Sequence, residues 1–152
     1  MVRFISSRET LELRSKILRN DLPLADCVFP TDEVEGAFHL GCFVDDELVS
    51  IASLFPNRYQ DRKTQGYQLR GMATAKNFAG KGFGSKLIDF AISQLNATKA
   101  AYLWCNARTS AIEFYKKKGF ELNSDEFEIE GVGPHYEMII NLTKIDEYRR
   151  PV

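Results

Sequence analysis

A glycine-rich loop that joins a strand-like segment to a helix-like segment constrains the fold of this chain more than any other feature. Residues 67–74 alternate their side chains between two mixed faces, as a strand does. Gly80, Gly82 and Gly84 follow closely, and apolar side chains then recur at helical spacing. These apolar residues are Leu87, Ile88, Ala91, Ile92 and Leu95. Strand, glycine loop and helix in this order predict one mixed α/β unit.

The segments on either side of this unit add further strands and helices. Residues 2–5 predict a strand, and the capping-box spacing of Ser6 and Glu9 predicts a helix of about three turns that ends near Asn20. Residues 38–44 and 48–54 predict an antiparallel hairpin, because aspartates occupy the turn between them, and residues 57–66 predict a polar surface loop. The last predicted elements are a strand at residues 101–105, a helix that Ser110 caps and Gly119 ends, and strands around residues 127–129 and 136–142.

The composition is that of a globular protein of one domain. The 152 residues are 44% hydrophobic and 27% charged, which supplies enough apolar sequence for a core. The 20 Lys and Arg residues balance 21 Asp and Glu residues, so no overall field draws the chain to nucleic acid or anionic lipid. The longest uncharged stretch, near residues 48–55, is far shorter than the roughly 20 apolar residues of a membrane-spanning helix. We therefore expect one cytoplasmic domain over residues 1–152 that binds neither nucleic acid nor membrane.

Cysteine and histidine are too scattered for a disulfide framework or a zinc site. Cys27, Cys42 and Cys105 are odd in number and widely spaced, and His39 and His135 have no closely spaced cysteine partner. This pattern predicts a reducing compartment and no metal cofactor.

The glycine loop suits an anionic ligand. Glycines let backbone N–H groups turn toward an anion, and the following helix adds the positive end of its dipole, so a diphosphate fits this loop. The G-x-x-x-x-G-K-[ST] phosphate-binding motif is absent, and the glycines run G-x-G-x-G rather than the G-x-G-x-x-G of dinucleotide folds. An ordinary connecting loop is the alternative interpretation.

Three sequence elements between Leu69 and Phe120 resemble the GNAT acyltransferases. They are Leu-Arg-Gly-Met-Ala-Thr, Ala-Gly-Lys-Gly-Phe-Gly-Ser and Phe-Tyr-Lys-Lys-Lys-Gly-Phe, in this order. The resemblance implies a single-domain GNAT-like α/β (α+β) fold with a mixed, mostly antiparallel central sheet flanked by helices. It also implies an N-acetyltransferase that uses acetyl-CoA as cosubstrate. The acceptor is then the primary amine of a small molecule or a peptide.

The resemblance further implies which residues bind the coenzyme. The family's [QR]-x-x-G-x-[GA] loop aligns with residues 79–84, where Ala79 departs from the pattern. The backbone of the preceding strand is expected to bind the pantetheine arm, and an N–H aimed at the thioester carbonyl would stabilise an oxyanion. Simple strand packing is the alternative for Met72 and Thr74. The predicted coenzyme-binding residues in this region are Met72, Ala73, Thr74, Ala79, Gly80, Lys81, Gly82, Phe83, Gly84 and Ser85.

The resemblance implies that Tyr115 is the general acid. In the family this tyrosine protonates the departing thiolate, and a phenol with a pKa of about 10 holds its proton at neutral pH. A core tyrosine packed beside Phe114 is the alternative. The family often has Asn seven residues before this tyrosine, where this chain has Arg108. Asn106 and Arg108 are therefore both predicted to bind the coenzyme, with a solvated arginine as the alternative.

Transfer to an amine also requires a group that accepts the ammonium proton. His135 and Glu137 lie two residues apart in a predicted strand, so their side chains share one face. Histidine titrates near neutral pH and is the first candidate base, although a structural hydrogen bond is the alternative for a single histidine. Glu121 is a further candidate.

These residues leave more than one class of function open. An N-acetyltransferase that works by direct attack is the first hypothesis, and Tyr115 favours it. A non-catalytic acyl-CoA-binding sensor module is the second, and a nucleotide-binding protein is the third. Polyamine, amino sugar, peptide terminus and lysine all remain open as acceptors. An exposed edge strand would also allow a homodimer.

Overall fold

The computed structural model describes residues 1–142. In this range the strands are β1 (Val2–Ile5), β2 (Phe38–Val44), β3 (Glu47–Pro56), β4 (Gly66–Thr74), β5 (Tyr102–Arg108), β6 (Glu121–Leu122), β7 (Phe127–Ile129) and β8 (Gly133–Asn141). The α-helices are α1 (Leu11–Leu13), α2 (Phe83–Asn96) and α3 (Ile112–Lys117). Shorter 3₁₀ turns occupy Arg8–Thr10, Leu24–Cys27, Lys76–Phe78 and Thr109–Ala111, and a π turn occupies Arg14–Leu18.

The strands of the described range form one eight-stranded sheet. Its order is β1-β2-β3-β4-β5-β8-β6, and β7 also pairs with β8. β4 and β5 are parallel, whereas β1–β2, β2–β3, β5–β8, β6–β8 and β7–β8 are antiparallel. The predicted mixed, mostly antiparallel sheet flanked by helices is therefore confirmed.

The predicted hairpin forms between β2 and β3. Val44 pairs with Glu47, so only Asp45 and Asp46 form the turn. Both aspartates have positive φ, 49° and 65°, which a two-residue type I′ turn requires. These two residues set the register next to the turn, and the pairing shifts by one residue between Phe43 and Cys42.

The predicted N-terminal helix is an irregular helical segment. Its capping box forms, because the Ser6 N–H donates to Glu9 Oε1 at 3.1 Å and the Glu9 N–H donates to Ser6 Oγ at 3.3 Å. The segment ends as predicted near Asn20, where Asn20 and Asp21 both have positive φ. Three regular α-helical turns do not form, since a 3₁₀ turn precedes α1 and a π turn follows it. The Asp21 N–H bonds back to the Ser15 carbonyl and closes the segment.

The chain forms two compact units. The first comprises Met1–Pro56 and Leu69–Ala91, and the second comprises Asn57–Gln68 and the chain from Ile92 onward. A single domain over residues 1–152 stays a prediction, and residues 143–152 lie outside the described range. The core of the first unit contains Leu13, Ile51 and Ala73, with Ile5, Ile17, Leu18, Leu48 and Ala75 packed against them.

A buried ion pair also belongs to the first unit. Arg14 is fully buried, and its two terminal nitrogens donate to the two Asp32 carboxylate oxygens at 2.7 and 2.8 Å. Arg14 also donates to Ser53 Oγ at 3.0 Å and to the Cys27 carbonyl at 3.1 Å. These bonds join the first helical segment, the following loop and β3.

The second unit has an aromatic core that includes part of a predicted surface loop. Tyr59, Tyr102, Trp104 and Ile139 form this cluster. The Tyr59 N–H donates to the Tyr102 hydroxyl at 2.8 Å, and Trp104 Nε1 donates to the Asn57 carbonyl at 3.0 Å. The loop prediction for residues 57–66 is therefore wrong for Tyr59, which is 2% exposed.

β4 passes from the second unit into the first and is not a regular strand. Its parallel register with β5 runs from Gly66–Tyr102 to Gln68–Trp104. Gly71 has φ of 65°, so the predicted strict alternation of residues 67–74 breaks there. Glycine allows this conformation because it has no Cβ.

The second unit departs from prediction at one cap and one strand. The α-helix that Ser110 was expected to cap begins later, and its N-cap residue is Ala111 without a side-chain capping bond. Ser110 lies instead in the preceding 3₁₀ turn. The short strand β6 is an addition that the sequence did not indicate.

Candidate active site

The glycine loop is an exposed turn at the start of α2. Gly80 and Gly82 have φ of 75° and 87°, and a Cβ built on either glycine meets no atom within 4 Å. The Lys86 N–H donates to the Gly82 carbonyl at 3.2 Å, so Gly82 directly precedes the helix. Phe83, Gly84 and Ser85 form the first helical turn, whose N–H groups precede the intrahelical bonds. The loop therefore combines open space with the positive end of a 14-residue helix.

Two lysines are packed beside this loop. Lys81 Nζ lies 5.6 Å from the centroid of the Phe78 ring, and Lys86 Nζ lies 5.5 Å from that of Phe83. The two rings contact each other edge to face at 5.9 Å. The first turn of α2 has no acidic residue. Charge and helix dipole thus both favour an anion here, and the residues present fit a pyrophosphate group.

Residues 72–74, which are predicted to bind the pantetheine arm and the thioester and are called the thioester strand below, already form hydrogen bonds with Ser50. Ser50 Oγ lies 2.7 Å from Thr74 Oγ1 and donates to the Ala73 carbonyl at 3.3 Å. Ala73 is buried in the first core, whereas Met72 and Thr74 are half-buried. The Thr74 hydroxyl therefore has a structural partner, and any ligand bond from this strand falls to other atoms. Ser50, which sequence reasoning missed, fixes the end of the strand.

A Schellman motif holds Tyr115 in place. The Phe120 N–H donates to the Tyr115 carbonyl at 3.1 Å, and the Gly119 N–H donates to the Lys116 carbonyl at 3.0 Å. Gly119 has φ of 99°, as predicted for a residue that ends the helix. The Tyr115 and Phe120 rings contact each other at 5.4 Å between centroids. The Lys-Lys-Lys-Gly-Phe sequence after Tyr115 thus has a definite structural role.

The environment of Tyr115 keeps its phenol protonated. Burial raises the pKa of Tyr115 well above its ordinary value, and the neighbouring Cys105 thiol adds to the shift. Burial also raises the pKa of Cys105 to about 12. Tyr115 as a whole residue is half-buried. The phenol therefore holds the proton that a general acid supplies, while the raised pKa makes it a weaker acid than an ordinary tyrosine.

Four other predicted site residues share one face of the β5–β8 pair. Asn106 pairs with Glu137 and Arg108 pairs with His135, and directly paired residues project to the same side. Asn106 and Arg108 are exposed, whereas Cys105, which precedes Asn106 in β5, is buried. Alternation along β5 therefore places Cys105, the neighbour of Tyr115, on the opposite face.

Hydrogen bonds orient both candidate bases. His135 Nδ1 lies 2.8 Å from the Gly133 carbonyl, which only accepts, so Nδ1 carries the proton and Nε2 is the acceptor in the neutral ring. His135 is only 4% exposed. The Tyr59 hydroxyl donates to Glu137 Oε1 at 2.7 Å. Tyr59 is a site residue that the sequence did not indicate, because it belongs to a polar stretch far from β8. The third candidate, Glu121, is exposed in β6.

Other features of residues 1–142 bear on cofactors and location. No three His, Cys, Asp or Glu side chains in that range are grouped so that they could hold a metal ion. None of its helices has the length and apolar character needed to cross a membrane. Cys27, Cys42 and Cys105 are free and buried.

Comparison with known families identifies the domain. The model of the acetyltransferase (GNAT) domain matches residues 30–142, which is most of this chain. The chain belongs to the GNAT family. The resemblance seen in the three sequence elements is therefore confirmed.

Relatives and solved structures agree with this GNAT assignment. An uncharacterized N-acetyltransferase of Bacillus subtilis (strain 168), YitI, is 39% identical over 139 residues, which is 90% of this chain and 93% of the relative. A ribosomal-protein-alanine N-acetyltransferase from Brucella melitensis has a TM-score of 0.75 at 16% identity, covering 93% of this chain and 99% of its own. An aminoglycoside 6'-N-acetyltransferase complexed with coenzyme A has a TM-score of 0.71 at 12% identity, covering 100% and 99%. At such identities the solved structures establish a shared GNAT fold.

Membership in the GNAT family identifies an acyltransferase. It supports N-acetyltransferase activity, an acyl-CoA cosubstrate and an amine acceptor from a small molecule or a peptide. The glycine loop and Tyr115 both lie within the matched residues.

Proposed function

We propose that this protein transfers an acetyl group from acetyl-CoA to a primary amine by direct attack. The observation that carries the proposal is the exposed glycine loop, whose two positive-φ glycines leave open space at the start of α2. Such a surface lets a ligand approach the backbone closely, and at the start of a helix a pyrophosphate matches its charge. The family match supports an acyl-CoA as the source of that pyrophosphate.

The proposed coenzyme contacts are mostly backbone contacts. The N–H groups of residues 80–85 would bind the pyrophosphate, with Lys81 and Lys86 adding positive charge. Because the cradle is backbone, the Ala79 side chain that departs from the family pattern has little effect on binding. The half-buried Met72 and the backbone of residues 72–74 would bind the pantetheine arm. Ala73 and Thr74 would contribute through the backbone position that Ser50 fixes.

The proposed acid and base belong to opposite faces of the β5–β8 pair. Tyr115, next to Cys105, would donate its proton to the departing thiolate. Glu137 or His135, on the other face, would accept the proton of the attacking amine. Glu137 has one carboxylate oxygen bonded to Tyr59 and a second oxygen available for the amine. Asn106 and Arg108 share that face with Glu137 and His135 and would therefore also contact the acceptor, while their binding to the coenzyme stays a prediction.

Two successive measurements test this proposal. Isothermal titration with acetyl-CoA measures binding, and release of free coenzyme A thiol across a panel of amines measures transfer. We expect binding together with thiol release that depends on the acceptor. Tight binding without any acceptor-dependent release would contradict catalysis and support the sensor module. Tighter binding of ATP or NAD than of coenzyme A would support the nucleotide-binding alternative. The cytoplasmic location and the homodimer stay predictions.

A further inference from the structure

Within residues 1–142, Arg70 of the first unit forms no ion pair with a carboxylate. Neither the Arg14–Asp32 ion pair nor the Lys116–Glu113 ion pair includes Arg70. Its guanidinium carbon lies 4.5 Å from the centroid of the Phe29 ring. This contact holds the guanidinium in one place by cation–π attraction and leaves its N–H donors for another group.

The Phe29 ring places this cation beside β4. A Cβ built on Gly71 would lie 3.0 Å from Phe29 Cε2, so the ring packs directly on the Gly71 backbone. Gly71 immediately precedes Met72, the first residue of the proposed thioester strand. The Phe29 ring therefore contacts both the Arg70 guanidinium and the Gly71 backbone, directly before residues 72–74 of β4.

The surrounding charges leave positive charge in excess. The charged groups that act on Arg70 are Arg14, Arg19 and Asp32. Asp32 is occupied, because both of its oxygens accept from Arg14 and one also accepts the Phe29 N–H at 2.9 Å. Burial lowers the pKa of Arg70, and repulsion from Arg14 lowers it further. Arg70 as a whole is exposed, so an anionic ligand can reach its guanidinium and form charge-assisted bonds with it.

We infer that Arg70, held by Phe29, binds an anionic group of the acceptor, so the acceptors are amines that also carry a carboxylate or a phosphate. This inference rests on the proposed acetyltransferase function and narrows its acceptor class. Charge-assisted bonds to a guanidinium give specificity as well as affinity, because planar donors match planar carboxylates.

A groove elsewhere in the first unit provides the competing expectation. It has a volume of about 530 Å³ and lies between the first helical segment, the β2–β3 turn and the end of β4. Its lining has more acidic than basic residues, which would favour a cationic amine such as a polyamine. Its acidic residues are exposed, and Glu9 already serves the capping box, so solvent compensates them. Its charged residues are Glu9, Glu12, Lys16, Asp21, Glu47 and Lys76.

Matched acceptors test the inference. Coenzyme A release is measured with ω-amino acids of increasing length and with the amide of each one, which keeps the amine and removes the negative charge. Phosphoethanolamine is the phosphate acceptor, and a diamine is the cationic acceptor. We expect kcat/KM to favour the best acid over its amide by about tenfold or more, as a charge-assisted hydrogen bond provides. The acid and phosphate arms distinguish the two anionic groups.

Variants of Arg70 connect the preference to this residue. We expect Arg70→Gln to reduce the acid-to-amide ratio toward one by raising KM for the acid, and Arg70→Lys to retain part of the preference. Arg3→Gln is the matched control, because Arg3 also stacks on a ring, that of Phe43 at 3.8 Å, but in β1. The Arg3 variant should keep the full preference.

The outcomes separate this inference from the proposed function. The anionic acceptor would be overturned, with acetyl transfer left in place, by any of three results. These are equal use of acids and amides by the parent protein, a preference for the diamine, and an acid preference that survives in Arg70→Gln. Absence of acceptor-dependent release with every amine would overturn the proposed function, and the inference with it. Acid preference that disappears in Arg70→Gln and persists in Arg3→Gln supports it.

Discussion

Replacing Gly82 with alanine tests whether the glycine loop binds the coenzyme. Gly82 has φ of 87°, and a Cβ there meets no protein atom within 4 Å. The cost to folding is therefore only that of an alanine in the left-handed region, about 1–2 kcal/mol, which an ordinary domain tolerates. The same Cβ would stand where the pyrophosphate approaches the backbone. We expect the Kd for acetyl-CoA, measured by isothermal titration, to rise at least about tenfold, or about 1.4 kcal/mol.

Gly131→Ala is the control for backbone strain. Gly131 lies between β7 and β8, has φ of 79°, and likewise has no atom within 4 Å of a built Cβ. Both variants should lose similar free energies of unfolding in urea, but only Gly82→Ala should lose coenzyme affinity. A folded Gly82→Ala protein with the parent Kd would refute the loop assignment. Equal losses of affinity in both variants would show that strain, rather than obstruction, causes the effect.

Three further substitutions test the acid, its support and the buried ion pair. Tyr115→Phe should lower kcat by about 10²–10⁴-fold. The factor should be the same from about pH 6 to about 9, because burial keeps the pKa of the phenol above its ordinary value. A fall in initial rate of less than about threefold would show that Tyr115 only packs in the core. Gly119→Ala should lose about 1–2 kcal/mol or more in urea unfolding, because φ is 99° and the new Cβ would lie 3.0 Å from Ile140 Cδ1. Asp32→Ala should lose about 3–5 kcal/mol in the same measurement, because it leaves Arg14 buried without its partner. Burial alone would raise the pKa of Asp32, but its bonds to Arg14 and Phe29 lower this pKa overall. The ion pair therefore stabilises the parent protein above the unfolded pKa of about 4, and this stabilisation is lost as the pH falls through the lower folded pKa. An unfolding free energy that stays constant through that acid range would contradict this.

The sequence predicted the elements whose geometry depends on adjacent residues. The capping box of Ser6 and Glu9, the two-aspartate turn and the Gly119 helix end each satisfy a local backbone requirement. The break in β4 at Gly71 was not predicted, because Phe29 and Arg14 pack there from a distant part of the chain. Local patterns do not contain that packing.

The same distinction applies to the candidate site. The glycine loop and the position of Tyr115 are contiguous motifs, so they were found from the sequence. Tyr59 and Glu137 are 78 residues apart, and their hydrogen bond depends on how the second unit folds. The contact between Arg70 and Phe29 likewise joins residues far apart in the chain, so local patterns do not contain it.

The separation of Tyr115 from Glu137 constrains the proposed chemistry. Alternation along β5 places Cys105 on the Tyr115 side and Asn106 on the Glu137 side. An acid that protonates the sulfur and a base that takes the amine proton have different partners, and in direct attack the amine arrives as the sulfur leaves. The raised pKa of Tyr115 then keeps the acid protonated, so the ionisation of Tyr115 would contribute no pH dependence near neutrality.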